Sequence, residues 1–232
     1  MKINNTRLFF LSLAFIAFTV IGTLSHECGH IAVAKVLGYH TTLHYASMNS
    51  YSSETMKRID DRLNASKLTE SINDDALLKA SFKPKNHRLW ITLGGPAQTM
   101  LTGLLGFFLL SKRRKTKRQK AYGLVDWLLV FLSLFWLREV FNLTMTLAYG
   151  YLGNKTNYFA GNGDEIKISD ALGLPSHIVP VVCAAIGFII CTIVVFKYVP
   201  KKDRPTFILS GIIGGGLGFY LWMELIGPIV LP

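Results

Sequence analysis

Apolar residues in this chain come in long blocks separated by short polar stretches. A block of about 20 is what it takes to cross the roughly 30 Å hydrocarbon core of a bilayer. Composition alone is less decisive. Half of the 232 residues are hydrophobic and 17% are charged, against roughly 25% charged in soluble domains, which a greasy soluble protein could also show. The distribution decides. Spans are expected at about 8–38, 89–110, 124–150, 178–196 and 207–225, with outer loops at 39–88 and 151–177. The expected fold class is an all-α membrane protein, a bundle of about five transmembrane helices with a small extracytoplasmic loop region. It forms a single integral-membrane domain over residues 1–232.

The formal net charge is +11, which in a soluble chain would suggest nucleic acid. Here the excess lies in short loops between apolar blocks, where it reports orientation instead. The run Lys112-Arg113-Arg114-Lys115-Thr116-Lys117-Arg118-Gln119-Lys120 is the strongest such signal, and Lys197, Lys201, Lys202 and Arg204 repeat it after the fourth block. Lys2 and Arg7 fit an inside N-terminus. All three clusters agree with five alternating spans that put the C-terminus outside. No nucleic-acid partner is expected; the bilayer is. The first block mimics a signal peptide, but no small-residue cleavage site follows it, so a retained span is expected.

Cys28, Cys183 and Cys191 give no disulfide framework. Cys183 and Cys191 lie eight residues apart in one apolar block, about 12 Å along a helix axis, and read as small buried hydrophobes. Of the outer segments, Thr41-Thr42-Leu43-His44-Tyr45 alternates like an edge strand. Residues 53–82 carry leucine and isoleucine spaced among charges, as in one or two amphipathic helices. Glu165 to Leu172 reads as a short helix stopped by Gly173-Leu174-Pro175.

The first block contains His26-Glu27-Cys28-Gly29-His30. Positions i and i+4 on a helix differ by about 40° around the axis and 6 Å along it, so His26 and His30 project from one face and can chelate one zinc ion. Glu27 lies beside that face, where a carboxylate can act as base towards water and pass the proton to a leaving amine. Cys28 points the other way. Gly29 removes bulk beside the metal. Two histidines could fall at this spacing by chance, but ionisable groups inside an apolar span are costly and usually functional. The expected chemistry is zinc-dependent hydrolysis of a membrane-protein or peptide substrate, with Zn2+ as cofactor. An extended substrate segment could pair with the stretch after Tyr39. The alternative is a zinc-bearing membrane protein that holds a client or partner without cutting it; retention of Glu27 speaks for the enzyme, since a holder has no use for a base. A transporter reading lacks an inverted repeat.

A catalytic zinc takes three protein ligands and keeps a fourth position open. Counted at about 1.5 Å per residue, His26 lies roughly 27 Å from the inner surface, and Glu139 and Glu224 come to a similar level. Asp164 follows the outer end of the third block in a Gly-flanked segment that can dip back. Depth does not choose among the three. Glu139 has an adjacent Arg138 free to pair with another helix, Glu224 can sit at the outer interface, and Asp164 can cap the helix that follows. Glu165 and Asp170 read as solvated helix charges, and His40, His44, His87 and His177 as interfacial residues. Asn142 suits an interhelical contact or a substrate backbone.

Ser25-His26-Glu27-Cys28-Gly29-His30, with Ala34 and Gly38, resembles the site-2 protease family of intramembrane zinc metalloproteases, in particular its small, divergent bacterial members. Gly94-Gly95-Pro96-Ala97 is similar to that family's small-residue Gly-Pro motif. Asn162-Gly163-Asp164-Glu165, followed by Leu172-Gly173-Leu174-Pro175, resembles the segment that supplies an aspartate ligand. The Leu-Asp-Gly motif of better-known members is absent, as is the Asn after their Gly-Pro motif, with Gln98 nearby instead. The resemblance implies a zinc metalloendopeptidase in a bacterial cytoplasmic membrane, its site towards the outer side, with His26, His30 and Asp164 as metal ligands and Glu27 as catalytic base.

Overall fold

The computed structural model describes residues 3–57, 83–116, 122–153, 157–159 and 161–232. The amphipathic helices expected within 53–82 fall almost wholly outside the described residues, as does the end of the basic run at 117–120.

Helix α1 runs from Asn5 to Val36. Asn4 caps it by accepting the Arg7 N–H at 2.9 Å, and Gly38 at φ 81° turns the chain out of it, a conformation that costs glycine little. Two of its hydroxyls are satisfied within the helix: Thr19 donates to the Phe15 carbonyl and Thr23 to that of Thr19, at 2.8 and 3.0 Å. The strand expected after Tyr39 forms. β1 (His40–Leu43) pairs antiparallel with β2 (Met48–Tyr51), Thr41 opposite Ser50.

Helix α2 (Lys85–Thr116) returns through the bundle with Pro96 inside it. At its far end Arg113 donates to Asp126 at 2.9 Å, and the second carboxylate oxygen of Asp126 accepts the Gly123 N–H. That starts α3 (Leu124–Ser133), which a 3-10 turn (Leu134–Trp136) joins to α4 (Leu137–Leu152). The block expected at 124–150 is therefore helical on both sides of a 3-10 turn. Ser133 Oγ turns back onto the Leu129 carbonyl at 2.6 Å, a contact that bends helices.

The short α5 (Asp164–Ala171) ends where Gly173 takes φ 68° and Leu174 N–H reaches the Ser169 carbonyl. This is the stop anticipated at Gly173-Leu174-Pro175. Helix α6 (Ile178–Ile193) continues as a π-turn to Tyr198, and α7 (Arg204–Tyr220) as a π-turn to Ile226 followed by α8 (Gly227–Val230). Cys191 is buried and Cys183 half-buried, both free thiols.

Among the described residues, four helical runs are long and apolar enough to cross a membrane: Asn5–Val36, Lys85–Thr116, Ile178–Tyr198 and Arg204–Val230. Phe9, Phe10, Leu101, Leu105, Phe108 and Ile212 are among many large apolar side chains left exposed on their outer faces. An apolar surface this extensive suits lipid rather than water. Helices α1 and α7 run side by side in the same direction: Arg7 pairs with Asp203 at one end, and at the other Tyr45 N–H donates to the Leu231 carbonyl at 2.9 Å. Between them Phe15 packs against Phe131 and Phe207, ring centroids 4.9 and 5.1 Å apart, forming the core of one half of the bundle. The other half holds the polar site.

Candidate metal centre

The site is assembled where α1 crosses α2. A Cβ on Gly29 would strike the Gly94 carbonyl, and one on Gly94 would strike Gly29, so the two backbones touch. The expectation that Gly29 clears space beside a metal is corrected, since the side it leaves bare faces Gly94. Gly95 has that role. A Cβ there would collide with Nε2 of both His26 and His30.

Both imidazoles are held from behind. His26 Nδ1 lies 3.0 Å from Thr99 Oγ1, and His30 Nδ1–H donates to the Ile91 carbonyl at 2.6 Å. Each ring thus presents Nε2 inward, the arrangement that outer partners impose on metal-binding histidines. Glu27 joins them: one ligand atom each from His26, Glu27 and His30 lies within 4.8 Å of the others, and all three residues are buried. That group can hold a metal ion.

Asp164, more than 130 residues away in sequence, closes the arrangement. Its Oδ2 lies 3.1 Å from His26 Nε2 and 3.0 Å from His30 Nε2. Gly163 takes the N-cap position of α5, so the Asp164 side chain is not the cap and turns to the histidines instead. Burial pushes its carboxyl up, but the hydrogen bonds from His26 and His30 outweigh that and hold it well below the usual carboxylate range. Two inward imidazole nitrogens and carboxylate oxygens, around a space kept free by Gly95, make a donor set that can hold a metal ion.

No protein-family model, characterised protein or solved structure matches the chain.

Before the site lies a cleft of about 830 Å³. Glu27, His30 and Asp164 line it on one side, Met48, Asn49, Ser50 and Tyr51 of β2 on another, and Arg138, Asn142 and Tyr149 of α4 on a third. The other candidates stand apart from the imidazoles. Glu139 is 1% exposed, and its carboxyl lies beside that of the likewise buried Glu165. Arg138 makes no ion pair at contact distance among the described residues, but it lines the cleft with Glu27 and its charge acts on that carboxyl across from α4 to α1. Glu224 is exposed on the π-turn after α7, and Cys28 is exposed on the far side of α1.

Glu165 is not the solvated charge expected from its sequence. It is 4% exposed and accepts from Asn142 Nδ2 at 3.0 Å, tying α5 to α4. Asp170 is exposed as anticipated, and accepts from Ser176. His87 meets the Tyr39 hydroxyl and His44 meets Asn49, His40 lies beside Ser53, and the His177 ring packs near Phe159. All four lie outside the site. Gln98 donates to Ser25 and Thr102, fastening α2 to α1.

The glycine geometry carries a prediction. Gly95→Ala should lower metal affinity at least as much as loss of an outer partner does, about 10–100-fold, while the helical content survives. Gly94→Ala should instead force the two backbones apart and lower thermal stability. Metal titration and circular dichroism of both variants check the contrast; metal bound equally well by Gly95→Ala would contradict it.

Proposed function

We propose that the chain is a zinc-dependent endopeptidase that cleaves apolar, membrane-embedded or membrane-proximal protein segments, akin to the site-2 proteases. One observation carries this reading: the Asp164 carboxylate converges on Nε2 of both His26 and His30 with Glu27 beside them. His26, His30 and Asp164 would hold the ion and leave a fourth position facing the cleft. Zinc, when bound, supplies a Lewis acid that polarises a carbonyl and makes water acidic near neutral pH. Glu27 takes the proton from the attacking water and delivers it to the amine nitrogen as the peptide bond breaks. A helical substrate hides its carbonyls, so the segment must be unwound to be cut. The β2 edge, which lines the cleft, is suited to hold it as an added strand.

The basic ends of α2 and α7 support an inside N-terminus, five crossings counting α3 and α4 as one, and a site towards the outer side. Single cysteines at Ser53 and Asn162, in a cysteine-free background, should then react with impermeant maleimide on intact cells, and one at Thr116 only after lysis. Labelling in the opposite sense would invert this arrangement.

The activity is tested with the purified, zinc-loaded protein in detergent and a panel of transmembrane peptides, read by mass spectrometry. Paired cleavage products should appear, vanish with a zinc chelator and return when zinc is restored. Peptides left intact by protein of verified zinc content would overturn the reading.

A further inference from the structure

Two buried carboxyls and one amide that the proposed chemistry leaves unused meet where α5 lies against α4. Glu139 and Asn142 stand three residues apart on α4, which places them on one face of that helix. Both meet Glu165. Asn142 Nδ2 donates to its carboxylate at 3.0 Å, and the Glu139 carboxyl lies beside it. Burying two carboxyls side by side in an apolar bundle is costly, and groups so placed are usually functional. Arg138 acts on Glu139 with its positive charge and eases that cost. Glu165 directly follows Asp164 in the first turn of α5. At the far end of the same helix, Ser169 Oγ donates to the Glu165 carbonyl and accepts the Val179 N–H of α6, both at 3.1 Å.

A helix of 8 residues is too short to hold itself together or in place, so what α5 touches sets the position of Asp164. Ile166 and Ile168 are buried in the bundle, but apolar contact is non-directional. It does not fix the slide and rotation of α5 to the roughly 0.5 Å that a metal ligand needs. A hydrogen bond to a charged acceptor does, because it is strong and weakens steeply with misalignment. We propose that the Glu165 carboxylate, received by Asn142 and Glu139 of α4, is a latch that seats Asp164 on the metal. Glu165 and Asn142 are then positioning residues for the centre, and α4 has a hold on the ion without supplying a ligand. The latch rests on the reading of Asp164 as a ligand and is independent of peptidase activity.

The test uses the purified full-length protein in detergent, with zinc and cobalt(II) as probes against a competing chelator. Glu165→Met and Glu165→Gln lose the same charge at nearly the same size, and only the glutamine keeps an oxygen to accept from Asn142. Glu165→Met should therefore bind zinc about 10–100-fold more weakly than Glu165→Gln, the usual effect of losing an outer partner. Asn142→Leu, which keeps the volume, should weaken zinc binding at least about tenfold. Adding it to Glu165→Met should cost no more, since both remove one contact. Glu139→Gln can still donate to Glu165 and should keep the ion. The visible spectrum of cobalt-loaded Glu165→Met should move towards that of Asp164→Ala, a change that a general loss of stability does not produce. Should Glu165→Met fail to fold, the zinc affinity and cobalt spectrum of Asn142→Leu decide alone. Equal affinity in the methionine and glutamine variants, losses that add in the double variant, or a cobalt spectrum unchanged from the wild type would each overturn the latch. Zinc retained by Asp164→Ala would instead remove the ligand assignment, and the latch with it.

Discussion

Asp164→Ala should strip zinc from the purified protein about as thoroughly as His30→Ala does. The two imidazoles come from consecutive turns of α1 and can supply only one edge of a tetrahedral site. The third donor has to arrive from another element, and Asp164 Oδ2 is within 3.1 Å of both Nε2 atoms. Loss of an outer-shell partner costs metal affinity about 10–100-fold, and loss of a direct ligand should cost more. Glu139→Gln and Glu224→Gln serve as the contrast, since one side chain is buried without touching the imidazoles and the other faces outward. Both should keep the ion against a graded chelator. Retention of zinc by Asp164→Ala with its loss from Glu139→Gln would move the third ligand to α4.

Glu27→Gln is expected to lower the cleavage rate by about 10²–10⁴-fold, the usual contribution of a positioned general base, with zinc content unchanged. The glutamine keeps the size and packing of the buried side chain but cannot accept the proton of water at neutral pH. Single-turnover rates at matched zinc content read the effect on the chemical step alone. Loss of zinc from this variant would make Glu27 a ligand, and undiminished cleavage would remove the base mechanism.

Some of this was legible in the sequence. The pairing of His26 with His30 follows from helical spacing, and Gly173-Leu174-Pro175 marks the end of α5 by local turn chemistry. Asp164 could not be chosen over Glu139 and Glu224 by counting depth, because an irregular segment re-entering the bundle has no periodicity to count. The partners behind the imidazoles were also out of reach. Thr99 is a single hydroxyl in an apolar span, and the Ile91 contribution is a backbone carbonyl that no side-chain pattern announces. Glu165 looked solvated because a charge on a short helix usually is; its burial depends on Asn142 arriving from α4. The 3-10 turn at Leu134–Trp136 lies within a run of apolar residues whose pattern gives no sign of it. Each of these is a tertiary or backbone effect, visible only once the helices are assembled.

X-ray absorption at the zinc edge of the purified, full-length protein tests the centre most directly. Two imidazole nitrogens with low-atomic-number oxygen donors and no sulfur are expected, with the imidazole scattering reduced in His30→Ala. A sulfur scatterer at about 2.3 Å would place Cys28 or another thiol on the ion and contradict the assignment of His26, His30 and Asp164 as its ligands.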